Sequence, residues 1–142
     1  MKHILALFAL LWATSVISQA QSLRLQQDTL VWKVTELVDS NTKETWPFSC
    51  TFVTYPQGTV EWIQKDGEFV TVFSRKAVRG SWTNAGNNGS LESDVLTSEI
   101  KGSVRFKRTS DKINIEFFFP DSTGRNTMPF AFVVNEVSRR QP

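Results

Sequence analysis

Residues 100–119 carry a strict two-residue alternation that leaves few folds open to the chain. Ile100, Gly102, Val104 and Phe106 alternate with Lys101, Ser103, Arg105 and Lys107. After Arg108-Thr109-Ser110-Asp111-Lys112 the pattern resumes as Ile113, Ile115, Phe117 and Phe119 against Asn114, Glu116 and Phe118. Successive side chains of a strand point to opposite faces, so this is the pattern of two strands, each with one face in a core and one toward water. The polar break between them predicts a hairpin loop of about three to five residues. An isolated hairpin is marginal in water, so the rest of the chain has to supply the sheet that covers it.

The remaining sequence reads as more strand. Leu30, Trp32 and Val34 alternate with Val31, Lys33 and Thr35 in a strand that ends near Val38, before the turn-forming run Asp39-Ser40-Asn41-Thr42-Lys43. Residues 45–55 form a second strand with Phe48, Cys50 and Phe52 on one side. Pro47 sits near its start, where a missing N–H is tolerated. Pro56-Gln57-Gly58 turns into residues 59–65, with Val60 and Trp62 on one face, and Asp66-Gly67 is a strong hairpin signal. Residues 68–74 follow, with Phe69, Thr71 and Phe73 opposite Val70 and Val72. Val78, Gly80 and Trp82 read as a separate short strand, 84–90 as an exposed loop, and 91–98 as either a weak strand or a helical turn. Residues 120–127 are a long turn, and 128–137 make the last strand, with Phe130, Phe132 and Val134 opposite Ala131 and Val133. The stretches 21–29 and 138–142 read as a polar lead-in and tail.

Eight or nine short strands and no long helical pattern imply an all-β fold. The expected architecture is a single antiparallel up-and-down β-barrel of about eight strands, with a β-sandwich as the alternative. Closing the sheet removes the edges through which strands aggregate. Eight strands enclose a space that side chains fill or that holds one small ligand.

Residues 1–20 are read as a signal peptide: Lys2 gives a positive start, 4–12 is apolar, and Ser18-Gln19-Ala20 offers a small-residue cleavage site. The apolar run is shorter than the ~20 residues a membrane helix requires, so no integral membrane segment is expected after cleavage. The mature domain is then 21–142, secreted or periplasmic, and no cysteine follows the apolar run to carry a lipid anchor. Loss of Lys2 takes the sixteen basic residues to fifteen, against fourteen acidic ones. So small a net charge gives no electrostatic basis for binding nucleic acid.

Cleavage also removes His3, the only histidine, and leaves Cys50 as the only cysteine. That excludes Ser-His-Asp and Cys-His catalysis and zinc sites built on imidazole or cysteine clusters. Cys50 has no disulfide partner within the chain and, between Phe48 and Phe52, reads as a buried, inert thiol. Paired carboxylates such as Asp94 and Glu99 would be the remaining acid–base chemistry, and the sequence does not bring them together. No cofactor is implied, and the chain is expected to be a binding protein and not an enzyme.

Several segments resemble the small secreted lipocalin-like domains of bacteria: the opening strand Leu30-Val31-Trp32-Lys33-Val34, the turn Lys65-Asp66-Gly67, the Gly80-Ser81-Trp82 segment and the alternating strands that follow. The opening strand has Leu-Val-Trp where true lipocalins have Gly-x-Trp. The resemblance implies a barrel over most of residues 30–137, a ring-packing role for Trp32, and a basic residue after the last strand, Arg139 or Arg140, set against that tryptophan.

Trp32, Trp62, Trp82, Phe106, Phe117 and Phe132 fall on inward faces and are the candidate lining of a cavity for a small hydrophobic ligand, or else a filled core. Glu36, in phase with Trp32 and Val34, is one candidate polar group among them, and the preferred reading places it at the strand end, in water. On the outer face, Lys101, Arg105, Lys107 and Arg108 form a basic stripe. Phe118, with Val70 and Val72, is a candidate apolar patch for a protein partner or a second copy of the chain. Asn88-Gly89-Ser90 matches the N-glycosylation pattern, which a bacterial export route would leave unused.

Overall fold

The alternating segments become eight antiparallel strands in a computed structural model that describes residues 23–141. They are β1 (Leu30–Asp39), β2 (Thr45–Tyr55), β3 (Thr59–Gln64), β4 (Phe69–Gly80), β5 (Gly89–Leu96), β6 (Lys101–Thr109), β7 (Lys112–Phe118) and β8 (Phe130–Arg139). Each pairs with its sequence neighbours, and β8 returns to β1, so the sheet is a closed up-and-down barrel. The expected leader lies outside the described residues. Among the described residues no helix is long and apolar enough to cross a membrane.

The barrel departs from a uniform alternation where strands bulge. Against β8, Val34 faces Val134 and Glu36 faces Val133, so Thr35 is an extra residue in β1 and the phase inverts behind it. Leu37 therefore packs on the core, and Glu36 lines an outer groove with Val133 and Asn114. Glu36 is thus not a polar group of the interior. In β4, Lys76 faces Asp94 and Arg79 faces Glu92, so Ala77 and Val78 together oppose Ser93. Ala77 adopts φ 51°, a left-handed conformation that lets a continuous strand absorb the extra residue. This bulge joins what reads as two strands into one, and Trp82 lies past its end instead of within it. Within the segment 91–98, residues 91–96 are strand, with Leu91, Ser93 and Val95 inward, and 97–98 begin the turn. The turn of the β6–β7 hairpin is two residues, Ser110 and Asp111, shorter than expected, with Ser110 at φ 56°.

Because neighbours are antiparallel, the strand ends form two rims. At one, the lead-in is not loose: Leu25 N donates to the Thr83 carbonyl and Ala85 N to that of Leu23, both at 3.1 Å. Leu25, Trp82 and Ala85 are buried there and plug the barrel. The loop expected to be wholly exposed thus supplies part of the core. The C-terminal stretch is held at this capped end too. Arg139, on β8 opposite Leu30, donates from Nη2 to Asp28 Oδ2 (2.9 Å), and Arg140 donates from Nη1 to the Tyr55 hydroxyl (2.7 Å). The opposite, open end carries turns 40–44, 65–68 and 97–100 and the longer connection 119–129. Asn126 stitches that connection to the barrel: its Nδ2 donates to the Phe117 and Met128 carbonyls, and its Oδ1 accepts from Phe119 N.

Candidate functional site

The interior is built from the inward positions of every strand. Trp32, Phe106, Phe117 and Phe132 are buried on β1, β6, β7 and β8, while Trp62 on β3 is partly covered. Trp82 reaches the same core from the capped end, its Nε1 donating to the Asn87 carbonyl at 2.7 Å. The six residues split into two groups. Trp32 packs on Phe106 (5.0 Å between ring centres) and Trp82 (6.1 Å) beneath the cap. Trp62, Phe117 and Phe132 form a second cluster, at 6.2, 5.4 and 6.0 Å from one another.

These contacts cross the barrel. Trp32 and Phe106 lie on β1 and β6, Trp62 and Phe132 on β3 and β8, and Phe73 and Phe117 on β4 and β7 at 5.4 Å. Strands three or more places apart in an eight-membered ring face each other, and rings at 4.5–7 Å are in contact. Phe52 and Phe119, which the site reading passed over, complete the packing: Phe52 lies 5.6 Å from Phe117, and Phe119 5.3 Å from it. Their period-two phase with Phe48 and Phe117 is the signal that places them inside.

Polar groups inside are few. Trp32 Nε1 donates to Thr54 Oγ1 at 3.0 Å, which satisfies a buried indole. Trp62 Nε1 is buried with no oxygen or nitrogen acceptor and faces the Cys50 thiol. Burial pushes the Cys50 thiol up to about 11, with the Trp62 indole acting in the opposite direction, so the thiolate nucleophile is scarce near neutral pH. No group of three or more His, Cys, Asp or Glu side chains among the described residues is arranged to hold a metal ion. Asp94 accepts from Arg79 at 3.0 Å, and Glu99 stands in the turn after β5.

On the outer face, Lys101, Arg105 and Lys107 point to solvent as expected. Arg105 is nonetheless not a free cation. It faces Glu116 on β7 and Glu92 on β5, while Glu92 faces Arg79 on β4. Arg105 Nη2 meets Glu116 Oε2 at 2.7 Å, and Arg79 Nη2 meets Glu92 Oε1 at 3.1 Å. Four strands thus carry charges of alternating sign, which neutralises Arg105 within the stripe. Arg108 is occupied differently: Nη1 donates to the Ala85 carbonyl and Nε to that of Ser110, tying the hairpin to the cap.

Phe118, Val70 and Val72 are half-exposed, but they do not form one patch. Phe118 lies on β7 and the valines on β4, with β5 and β6 between. Phe118 instead shares a groove of about 420 Å³ with Phe130, whose ring lies 6.1 Å from the exposed Trp46. Trp46, Phe69, Leu96, Ile100 and Phe118 all stand at or beside the open rim. The alternation placed Phe69 and Ile100 inward; at a strand end the lumen gives way to solvent, and both are exposed. None of the known family models, curated proteins or solved structures compared with the chain matches it.

Proposed function

We propose that this chain is an exported, non-enzymatic binding module of the lipocalin-like type. In this reading it meets a partner protein through its open end and does not hold a hydrophobic ligand in the aromatic lumen. The observation that carries the reading is the set of ring contacts spanning the lumen, at 5.0 Å for Trp32–Phe106 and 5.4 Å for Trp62–Phe132. Rings in contact across a barrel leave little room for a guest, whereas ligand pockets occupy roughly 300–1,000 Å³. The rim offers instead Trp46, Phe69, Leu96, Ile100 and Phe118, residue types that anchor protein interfaces. The test is native mass spectrometry of the protein purified from its own source. A stable complex, weakened at least tenfold by Trp46→Ser with Phe118→Ser, supports the reading. A retained hydrophobic molecule on an otherwise monomeric chain, unaffected by those changes, overturns it.

A small hydrophobic ligand is the second reading, and one observation favours it. At the open end Trp62, Phe48 and Leu37 are only partly covered, and Trp62 Nε1 has no oxygen or nitrogen acceptor. A guest entering there would lie against Trp62 and Phe132.

A further inference from the structure

Arg75 is the one charged side chain that the fold buries to nine-tenths among the described residues, with 9% of its surface exposed. It follows Phe73 on the inward face of β4. Its amide donates to the Gly58 carbonyl at 2.7 Å, and its Nη2 donates to the Tyr55 carbonyl at 3.1 Å. Its Nε is buried with no acceptor, and no described carboxylate forms an ion pair with it. The other buried polar side chains are Thr54 and Ser93. Thr54 precedes Tyr55 on β2, and Ser93 lies opposite the β4 bulge that follows Arg75. Thr54 Oγ1 accepts from Trp32 Nε1, which leaves its own proton to donate. The polar interior therefore holds donors and a positive charge, with no negative charge to meet them.

Desolvation lowers the Arg75 pKa, yet a guanidinium stays protonated in proteins. A buried lysine escapes an unpaired charge by losing its proton; arginine has no such route. Buried charges are found paired, so the missing partner is an anion. We propose that Arg75 is the charged half of a buried anion site whose ligand is a small carboxylate. The planar guanidinium matches carboxylate geometry, and Nε is the buried donor without an acceptor that would bind it. The site lies within the β2–β5 wall, independent of the open rim and of any partner bound there.

Thermal unfolding of the chain at constant ionic strength, read by tryptophan fluorescence, tests this with sodium formate, acetate, chloride and phosphate. Formate or acetate raises the wild-type Tm saturably, by roughly 8 °C at a hundredfold excess over Kd. Arg75→Met keeps the bulk, removes the charge and abolishes that rise, and without added anion it melts no lower than wild type. Arg75→Lys, should the methionine variant fail to fold, keeps the charge without the planar fork and weakens the acetate response at least tenfold. A wild-type Tm indifferent to carboxylates, a saturable response to chloride or phosphate alone, or an equal response in wild type and variants overturns the proposal.

Discussion

Phe117 and Phe118 are adjacent in sequence and opposite in environment, which makes them a sharp test of the filled barrel. The Phe117 ring is 2% exposed and lies within 5.3–6.2 Å of Phe119, Phe73, Phe52, Phe132 and Trp62. Phe118 is 46% exposed. Truncating a buried Phe removes its transfer free energy and leaves a cavity, for a total of about 3–5 kcal/mol. Five ring neighbours drawn from β2, β3, β4, β8 and the segment after β7 cannot all collapse inward, so Phe117→Ala is placed near the upper end, at about 4 kcal/mol. Phe118→Ala changes stability by no more than about 0.5 kcal/mol, because no cavity forms at the surface. With a urea m-value of about 2 kcal/mol per molar, the Phe117 variant unfolds about 2 M earlier than wild type while the Phe118 variant barely moves. Equilibrium urea unfolding of the isolated chain, followed by tryptophan fluorescence, measures both. A cost for Phe117→Ala below about 2 kcal/mol, the transfer part alone, would show that the lumen is not packed as described. Equal costs for the two residues would refute the inward and outward assignment of β7.

Three more outcomes follow from local geometry. A Cβ at Gly102 would run into the Phe118 carbonyl oxygen and come within 2.5 Å of Phe119 Cδ1, so Gly102→Ala destabilises by about 1–3 kcal/mol in the same urea assay; a neutral result would mean that β6 and β7 are further apart. Cys50, 6% exposed and with its pKa pushed up to about 11, resists thiol reagents at pH 8 in the native protein and reacts fully in denaturant; stoichiometric native labelling within minutes would contradict its burial. The amide of Arg24, and then Arg139, hold the Asp28 carboxyl below its ordinary 3.8. The unfolded state therefore binds the proton more readily, and the stability this group adds is present above pH 3.8 and lost as pH falls through the lower folded value. Asp28→Asn flattens that acid limb in Tm measured from pH 2 to 5, and an unchanged limb would remove Asp28 from the cap.

The barrel was legible because its cause is local. In a two-residue period each side chain's face follows from its neighbour's, so the inward set Trp32, Phe106, Phe117 and Phe132 can be read without coordinates. The end of β1 was harder to read. The jump of apolar positions from Val34 to Leu37 is the only trace of the bulge at Thr35 against β8, and it decides that Glu36 faces out. Arg75 continues the phase of Phe69, Thr71 and Phe73, and it becomes visible as an interior residue only when β4 runs on past Ser74.

What the amino-acid order determined alone is the sheet and its faces. Those properties depend on neighbours one or two positions away. The tertiary structure decided whether the lumen is filled, which charges meet and which apolar side chains stay wet. Trp32 touches Phe106, Asp28 meets Arg139, and Arg75 meets no carboxylate because closing the sheet brings distant strands face to face. Contacts across a closed barrel join residues far apart in the chain, and no local period encodes them.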